Sequence, residues 1–223
     1  MKVLVLVMSC DIDQYPVLVA KQRETWDSIH VPGVETVYFY AGNKTKLVRQ
    51  RLNIDVKEGP GYFYYKTILA FKEMLSQNWD YVFKTDNSAY INKAELVKVL
   101  ENKPRKNYYG GHLYQTSYVK SYPFLWGEGM VLSRDVVQGL VKEYETTLIG
   151  RSGGEDVHIG MILKEPFNSH VTWDTTLTIP EYHKLQELPV SHVYRCKNDE
   201  TGDLQSQLLA MDNIHRFLHP ELT

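Results

Sequence analysis

Apolar and polar positions alternate along this chain with two periods, one suited to strands and one to helices. Lys2 to Met8 (KVLVLVM) is an almost unbroken apolar, β-branched run, the pattern of a strand buried on both faces. Val17 to Trp26 has helical spacing, with Val17, Leu18, Ala20 and Trp26 apolar, and Pro16 suits an early helical position. Val34 to Ala41 (VETVYFYA) reads as a second strand, closed by Gly42-Asn43. Gly59-Pro60-Gly61 marks a turn, after which Tyr64 to Leu75 takes an amphipathic helical period. The next apolar run, in WDYVFK, predicts a strand that ends abruptly in Lys84-Thr85-Asp86-Asn87-Ser88.

Beyond that point the elements shorten. Ala94 to Leu100 predicts a helix, Tyr108 to Leu113 a strand, and Gln115 to Phe124 a loop. The Trp126 to Ser133 segment follows, then a helix from about Asp135 to Tyr144. Gly150 to Gly154 reads as a loop opening onto a helix over Glu155 to Leu163, whose first-turn acids favour the positive end of its dipole. Val171 to Trp173 is a strand candidate, and Leu204 to Leu218 a closing amphipathic helix. Strands alternating with helices from the amino terminus predict an α/β sandwich with a largely parallel sheet, with antiparallel additions after residue 105. No repeat, low-complexity tract or linker divides the 223 residues, so one domain is expected.

Composition narrows the function classes. A formal net charge of -2 argues against a nucleic-acid partner, which calls for a basic patch. The first apolar run is far too short to span a membrane and has no signal-peptide pattern, so a soluble, cytoplasmic protein with no membrane span is expected. Cys10 and Cys196 stand far apart with no CxxC partner; a zinc site is not expected, and a disulfide is one of several possibilities. The 16 tyrosines and 4 tryptophans suit either core packing or stacking on a sugar or base.

Four places could carry chemistry. Asp86, delivered to the end of a buried strand, can hold a hard divalent ion or merely cap a turn. Glu155-Asp156, after Gly153-Gly154, can supply a general base or simply favour a helix dipole. Trp126-Gly127-Glu128-Gly129 suits a tight backbone path along a pocket wall, or a β-bulge beside a core tryptophan. His192, in the β-like run Pro189 to Tyr194, can be a metal ligand or a core histidine.

Together these segments resemble the β-1,3-glycosyltransferases typified by β-1,3-galactosyltransferases and the Fringe proteins. Arg23-Glu24-Thr25-Trp26 is similar to that family's early R-x-T-W element, and Tyr65-Lys66-Thr67 to its L-T-x-K-T helix. YVFKTDNSAYIN (Tyr81 to Asn92) resembles Y-V-x-K-T-D-D-D-x-x-V-N, and Tyr109-Gly110-Gly111 the Y-x-G strand. WGEGMVLS (Trp126 to Ser133) resembles Y-x-x-G-x-G-Y-x-L-S, and GEDVHIG (Gly154 to Gly160) matches E-D-V-x-x-G. The six fragments keep the family's order across residues 20 to 165.

The resemblance implies a single GT-A (Rossmann-like) domain over residues 1–223, with 1–105 as a nucleotide-binding half and 106–223 as an acceptor and catalytic half. It implies a nucleotide-sugar donor, UDP-linked in most relatives, and an inverting transfer to a glycan or glycoprotein acceptor assisted by Mn2+ or Mg2+. Asp156 would be the catalytic base, with Glu155 as its neighbour or understudy in that role. Ser9, Cys10, Asp11, Arg23, Lys84, Thr85, Asp86, Trp126, Gly127 and Glu128 would contact the donor or, for Trp126 and Glu128, the acceptor. Asp86, Ser88 and His192 would be the metal-site positions, although Ser88 stands where the family has a metal-binding acid, and a hydroxyl is a poorer cation ligand than a carboxylate. Asn87 and Ser88 also motivate an alternative, a catalytically silent nucleotide-sugar or glycan-binding module. A phosphatase with an aspartate nucleophile would need D-x-D-x-T, which Asp86-Asn87-Ser88 does not supply.

Overall fold

The computed structural model describes residues 1–114, 124–146, 154–164 and 170–222. Ten strands and six helices occur among these residues in chain order: β1 (Val3–Met8), α1 (Tyr15–Glu24), β2 (Val34–Gly42), β3 (Lys46–Val48), β4 (Arg51–Asp55), α2 (Phe63–Met74), β5 (Tyr81–Asp86), β6 (Ala89–Ile91) and α3 (Lys93–Glu101) form the first part. The second part holds β7 (Tyr108–Tyr114), β8 (Phe124–Ser133), α4 (Arg134–Thr146), α5 (Glu155–Lys164), β9 (Thr172–Asp174), β10 (Val193–Arg195) and α6 (Leu204–Leu218).

The main sheet has eight strands in the order β3-β4-β2-β1-β5-β8-β7-β9. β1 is paired in parallel with both β2 and β5, which explains why its sequence is apolar on every residue. β8 joins antiparallel to both β5 and β7, the expected change of direction after residue 105. On one face, α2, α4 and α5 pack over Leu4, Leu6, Val82, Met130 and Leu132. On the other, α1, α3 and α6 pack over Val5, Val7, Phe83 and Val131. The result is a single α/β domain with a mostly parallel central sheet flanked by helices. Among the described residues, no helix is long and apolar enough to cross a membrane. Cys10 and Cys196 are buried free thiols.

Caps set several boundaries. The Asn92 side chain accepts from Glu95 N at 3.1 Å and starts α3, and the Asp203 carboxylate accepts from Gln205 N and Ser206 N to start α6. Trp26 lies beyond α1, buried in a separate short turn over Trp26–Ser28. β3, β4 and β6 are additions to the predicted elements. β4 buries only Leu52 and Ile54 between exposed or half-buried Arg51, Asn53 and Asp55, and the other two strands have three residues each. The expected loops fall largely outside the described residues: 115–123 and 150–153 are not described, while Phe124 already belongs to β8.

Candidate active site

β1 and β5 run side by side and end together, with Met8 opposite Asp86. Open α/β sheets form ligand crevices outside the carboxyl ends of such strands. A cavity of about 370 Å3 opens here, lined by Ser9 and Cys10 after β1, Glu58 and Lys66 around the start of α2, Asp86 to Ser88 after β5, and Glu128 from β8. A larger hollow, about 530 Å3, lies at the opposite, amino ends of β1 and β2. Its buried Lys93 pairs with Asp27.

The turn after β5 is held from below by Gln22, which is fully buried. Its amide nitrogen donates to the Asp86 and Ala89 carbonyls at 3.1 and 3.0 Å, and its carbonyl accepts from the Asn87 amide at 3.0 Å. Ser88 N and Ser88 Oγ both donate to Asp86 Oδ1, at 2.7 and 2.6 Å. Asp86 therefore does cap its turn, but through one oxygen only. Oδ2 takes no part in either bond, and the residue still lines the cavity.

Trp126 to Gly129 leaves the sheet ladder. Gly111 pairs with Met130 and Leu113 with Leu125, so two steps along β7 face five along β8. This bulge splits the backbone between two surroundings. A Cβ on Gly127 would meet Glu155 Oε1 at 3.1 Å, Asp156 Oδ2 at 3.4 Å and Lys84 Nζ at 3.5 Å, so the missing side chain lets these groups close on the backbone. Glu128, the next residue, lines the cavity instead.

On the Gly127 side, the fully buried Lys84 ammonium is paired with Glu155 Oε1 and donates to the Gly127 carbonyl at 3.0 Å. Lys84 and Glu155 thus neutralise one another inside the layer beneath α5. Among the described residues no cation pairs with Asp156; Gly127 N and Val157 N donate to it at 3.3 and 2.8 Å. Burial, and then the Glu155 carboxylate beside it, push the Asp156 carboxyl above the usual carboxylate range, with Lys84 acting in the opposite direction. A carboxyl whose surroundings favour its protonated form is suited to taking up a proton.

On the Glu128 side, Glu128 Oε1 is paired with Arg195 Nη1 from β10 and accepts from Ser88 Oγ at 3.0 Å. Arg195 Nη2 binds Asp199 at 2.7 Å, and the guanidinium lies 4.5 Å over the Trp126 ring. Trp126 also packs against Tyr114 and His112, so its ring is a wall shared by several side chains.

The remaining predicted residues divide clearly. Ser9 and Cys10 line the cavity, and Thr85 Oγ1 donates to the Glu128 carbonyl at 2.7 Å, tying β5 to the bulge. Asp11 is turned outward into a two-pronged pair with Arg51 and does not line the cavity. Arg23 is exposed, 4.9 Å over the Tyr38 ring, while its neighbour Gln22 is the residue that reaches the site. His192 is not brought to Asp86. β10 pairs antiparallel with β6, so Cys196 N meets Ser88 O while Asn92 N meets His192 O at the far end of the ladder. Four residues of strand, about 13 Å, separate those ends. The His192 ring packs edge-on against Phe83, and burial lowers its pKa to about 4, so it is a neutral core imidazole. Gln22, Glu58, Lys66 and Arg195 are additions to the site. Lys66 Nζ donates to the Ser9 carbonyl at 3.0 Å and pairs with Glu58 at 2.8 Å. Only Lys66 carried a sequence signal, its place in the Tyr65-Lys66-Thr67 element.

No family model matches the sequence, and no curated protein matches it significantly. Solved structures do share the fold. A glycosyltransferase involved in the glycosylation of the major capsid of PBCV-1 matches with a TM-score of 0.59 and 11% identity over 96% of this chain and 100% of that one. The mannosyltransferase PcManGT from Pyrobaculum calidifontis, in complex with GDP-Man and Mn2+, matches with a TM-score of 0.51 and 14% identity. That match covers 79% of this chain and 55% of the mannosyltransferase. The fold of the chain is therefore one found in glycosyltransferases.

Proposed function

We propose that the protein is a glycosyltransferase that moves a sugar from a nucleoside-diphosphate donor to a hydroxyl group of a glycan or other acceptor, with inversion. The observation that carries this reading is the Trp126–Gly129 bulge, where Gly127 N donates to Asp156 and the next residue, Glu128, lines the cavity at the ends of β1 and β5; Asp156 itself is not among the lining residues. The two structural neighbours support the class, since both are glycosyltransferases and one was seen with GDP-Man and Mn2+. The six fragments shared with β-1,3-glycosyltransferases favour UDP as the nucleotide, and the GDP-Man complex of PcManGT makes GDP the second candidate.

In this reading Asp156 removes the acceptor hydroxyl proton as that oxygen attacks the anomeric carbon. The bond from the anomeric carbon to the diphosphate oxygen breaks, and the diphosphate leaves with the electron pair. Glu155 is a positioning residue, tied to Lys84, whose carboxylate helps keep Asp156 basic. Thr85 and Lys84 hold the bulge through the Glu128 and Gly127 carbonyls. When bound, a divalent cation supplies countercharge to the departing diphosphate. Asp86 fits that group: it lines the cavity, and its Oδ2 stands outside both Ser88 bonds.

Calorimetric titration with UDP, GDP and dTDP, each with and without Mn2+, tests the reading. One of the three is expected to bind. Absence of binding for all of them would remove the transferase function.

A further inference from the structure

We infer that Asn87 and Gln207 form an uncharged acceptor–donor pair that reads the hydrogen-bonding edge of the donor's nucleobase. This role rests on the nucleoside-diphosphate reading of the cavity and concerns the end of the donor that the transfer chemistry does not touch.

The pair stands out first by what it lacks. Asn87 Oδ1 and Gln207 Nε2 are both buried with no hydrogen-bond partner in the protein. Their residues are 2% and 1% exposed, and both line the cavity at the ends of β1 and β5. A buried amide atom without a partner is costly, so each marks a place where something else completes the bond. One atom is an acceptor and the other a donor. They arrive from separate elements, the turn after β5 and the first turn of α6.

The polarity of both atoms is set by their surroundings. Gln22 Nε2 donates to the Asp86 and Ala89 carbonyls, which can only accept, so Gln22 must turn its own carbonyl to Asn87. Asn87 therefore gives its Nδ2 to Gln22 Oε1, and Oδ1 is the atom left to meet a ligand. On α6 the helix start is already satisfied, because the Asp203 carboxylate accepts from Gln205 N and Ser206 N. Asp203 also accepts Gln207 N through its carbonyl, so the Gln207 amide is not spent on capping.

The walls and the charge then choose the ligand. Met8, Ile12, Tyr15 and Leu18 line the same cavity, and Ile12 and Tyr15 are exposed. Such side chains cover the faces of a flat ring. Neither amide carries charge, and a carbonyl oxygen such as Asn87 Oδ1 repels a phosphate oxygen, so the diphosphate does not suit the pair. A base edge does. Uracil offers N3–H beside O4 and guanine N1–H beside O6, a donor next to an acceptor, and amide side chains match edges of that kind. In the proposed reading the transferred sugar lies toward the Trp126–Gly129 bulge, which leaves the wall built by α1 and α6 for the opposite end of the donor.

The test is calorimetric binding of UDP, GDP, their N3-methyl and N1-methyl forms, and ribose 5-diphosphate, to the wild type and Gln207→Met. Urea unfolding of both ligand-free proteins runs in parallel. Gln207→Met keeps the side-chain length and removes the donor. It is expected to weaken the nucleotide that the wild type prefers by about ten-fold. Ribose 5-diphosphate, which has no base, is expected to bind both proteins alike. Base methylation removes the N–H that Asn87 Oδ1 accepts, and is expected to cost the wild type about ten-fold without disturbing the turn after β5. The ligand-free variant is expected to unfold at the same urea concentration as the wild type or a higher one, since an unpartnered buried donor has been removed. A lower midpoint would make the Gln207 amide structural and overturn the inference. So would a Gln207→Met protein that binds UDP and GDP like the wild type, methylated bases that bind like their parents, or an equal loss with ribose 5-diphosphate. In each of those cases the transferase reading stands. If no nucleoside diphosphate binds the wild type, both fail.

Discussion

Two acid pairs lie on either side of the Trp126–Gly129 bulge, and they are built alike. In each, one carboxylate is paired with a buried cation: Glu155 with Lys84, and Glu128 with Arg195. In each, the other is held by local N–H or hydroxyl donors: Asp156 by Gly127 N and Val157 N, and Asp86 by the backbone and side chain of Ser88. They differ in what remains unsatisfied. On the α5 side both Glu155 and Asp156 have partners, and the residual electrostatic stress is carried by Asp156 as a raised pKa. On the cavity side Asp86 and Glu128 converge on one Ser88 hydroxyl, and Arg195 supplies the countercharge to Glu128. In the proposed reading the first arrangement handles a proton and the second faces the donor. One irregular stretch of four residues separates the two tasks.

The largest expected effect breaks the proton side. Asp156→Asn should lower donor turnover by on the order of 100- to 10,000-fold, the range for loss of a general base. Unchanged turnover would remove Asp156 from that role. The same variant should gain stability at neutral pH. A carboxyl whose folded pKa is raised contributes stability that is complete below its ordinary value and is lost as pH rises through the folded value. The asparagine variant lacks that loss, so its advantage in urea unfolding should grow as pH climbs out of the acid range. Activity of the wild type should rise over that same window as Asp156 gives up its proton.

Next comes the cation of that pair. Lys84→Met leaves the Glu155 carboxylate buried and uncompensated, and about 3–5 kcal/mol of stability should be lost. Adding Glu155→Leu should recover most of it, because an apolar pair fits a layer already lined by Leu and Ile. A double variant as unstable as Lys84→Met would show that the pair is not what holds the bulge.

His192 offers a cleaner separation of the two regions. Its imidazole is neutral in the fold, with a pKa near 4 against an ordinary 6.5. A histidine depressed in this way contributes stability above pH 6.5 that is lost as pH falls toward 4. His192→Phe should flatten that acid loss and leave Mn2+ binding in the presence of nucleotide unaltered. Weakened Mn2+ binding would bring His192 back to the cation.

These contrasts also show what could be read without a structure. Strands packed on both faces announce themselves, so β1 follows from an unbroken apolar run, β2 and β5 from shorter ones, and α6 from its amphipathic period. β4 was hidden because only Leu52 and Ile54 alternate between polar and charged neighbours. Asp86, Glu128, Glu155 and Asp156 could be singled out because each interrupts a pattern: a strand end, a pair of glycines, a helix start. Arg195 and Gln22 could not. Their roles arise from contacts across 67 and 64 residues, to Glu128 and the Asp86 carbonyl, and nothing local distinguishes them from any surface arginine or glutamine. His192 misled for the same reason, since the direction of a short strand decides which of its ends meets the site.

The smallest expected effect concerns an acid that only neighbours the site. Asp11 follows Ser9 and Cys10, yet its carboxylate is 58% exposed and faces Arg51, which itself lies 3.8 Å over the Tyr40 ring. The Arg51 guanidinium lowers the Asp11 pKa. Such a depressed acid lends stability above its ordinary value that is lost as pH falls, but solvent screens an exposed pair. Asp11→Asn should therefore change stability by less than about 1 kcal/mol, and less still in high salt. It should also leave nucleotide affinity within about three-fold, well under the roughly ten-fold step that about 1.4 kcal/mol represents. A ten-fold loss of UDP or GDP binding would mean that the Asp11–Arg51 pair opens toward the ligand, and that the cavity extends past Cys10. A small effect would confine the working acids to the two pairs that the bulge divides.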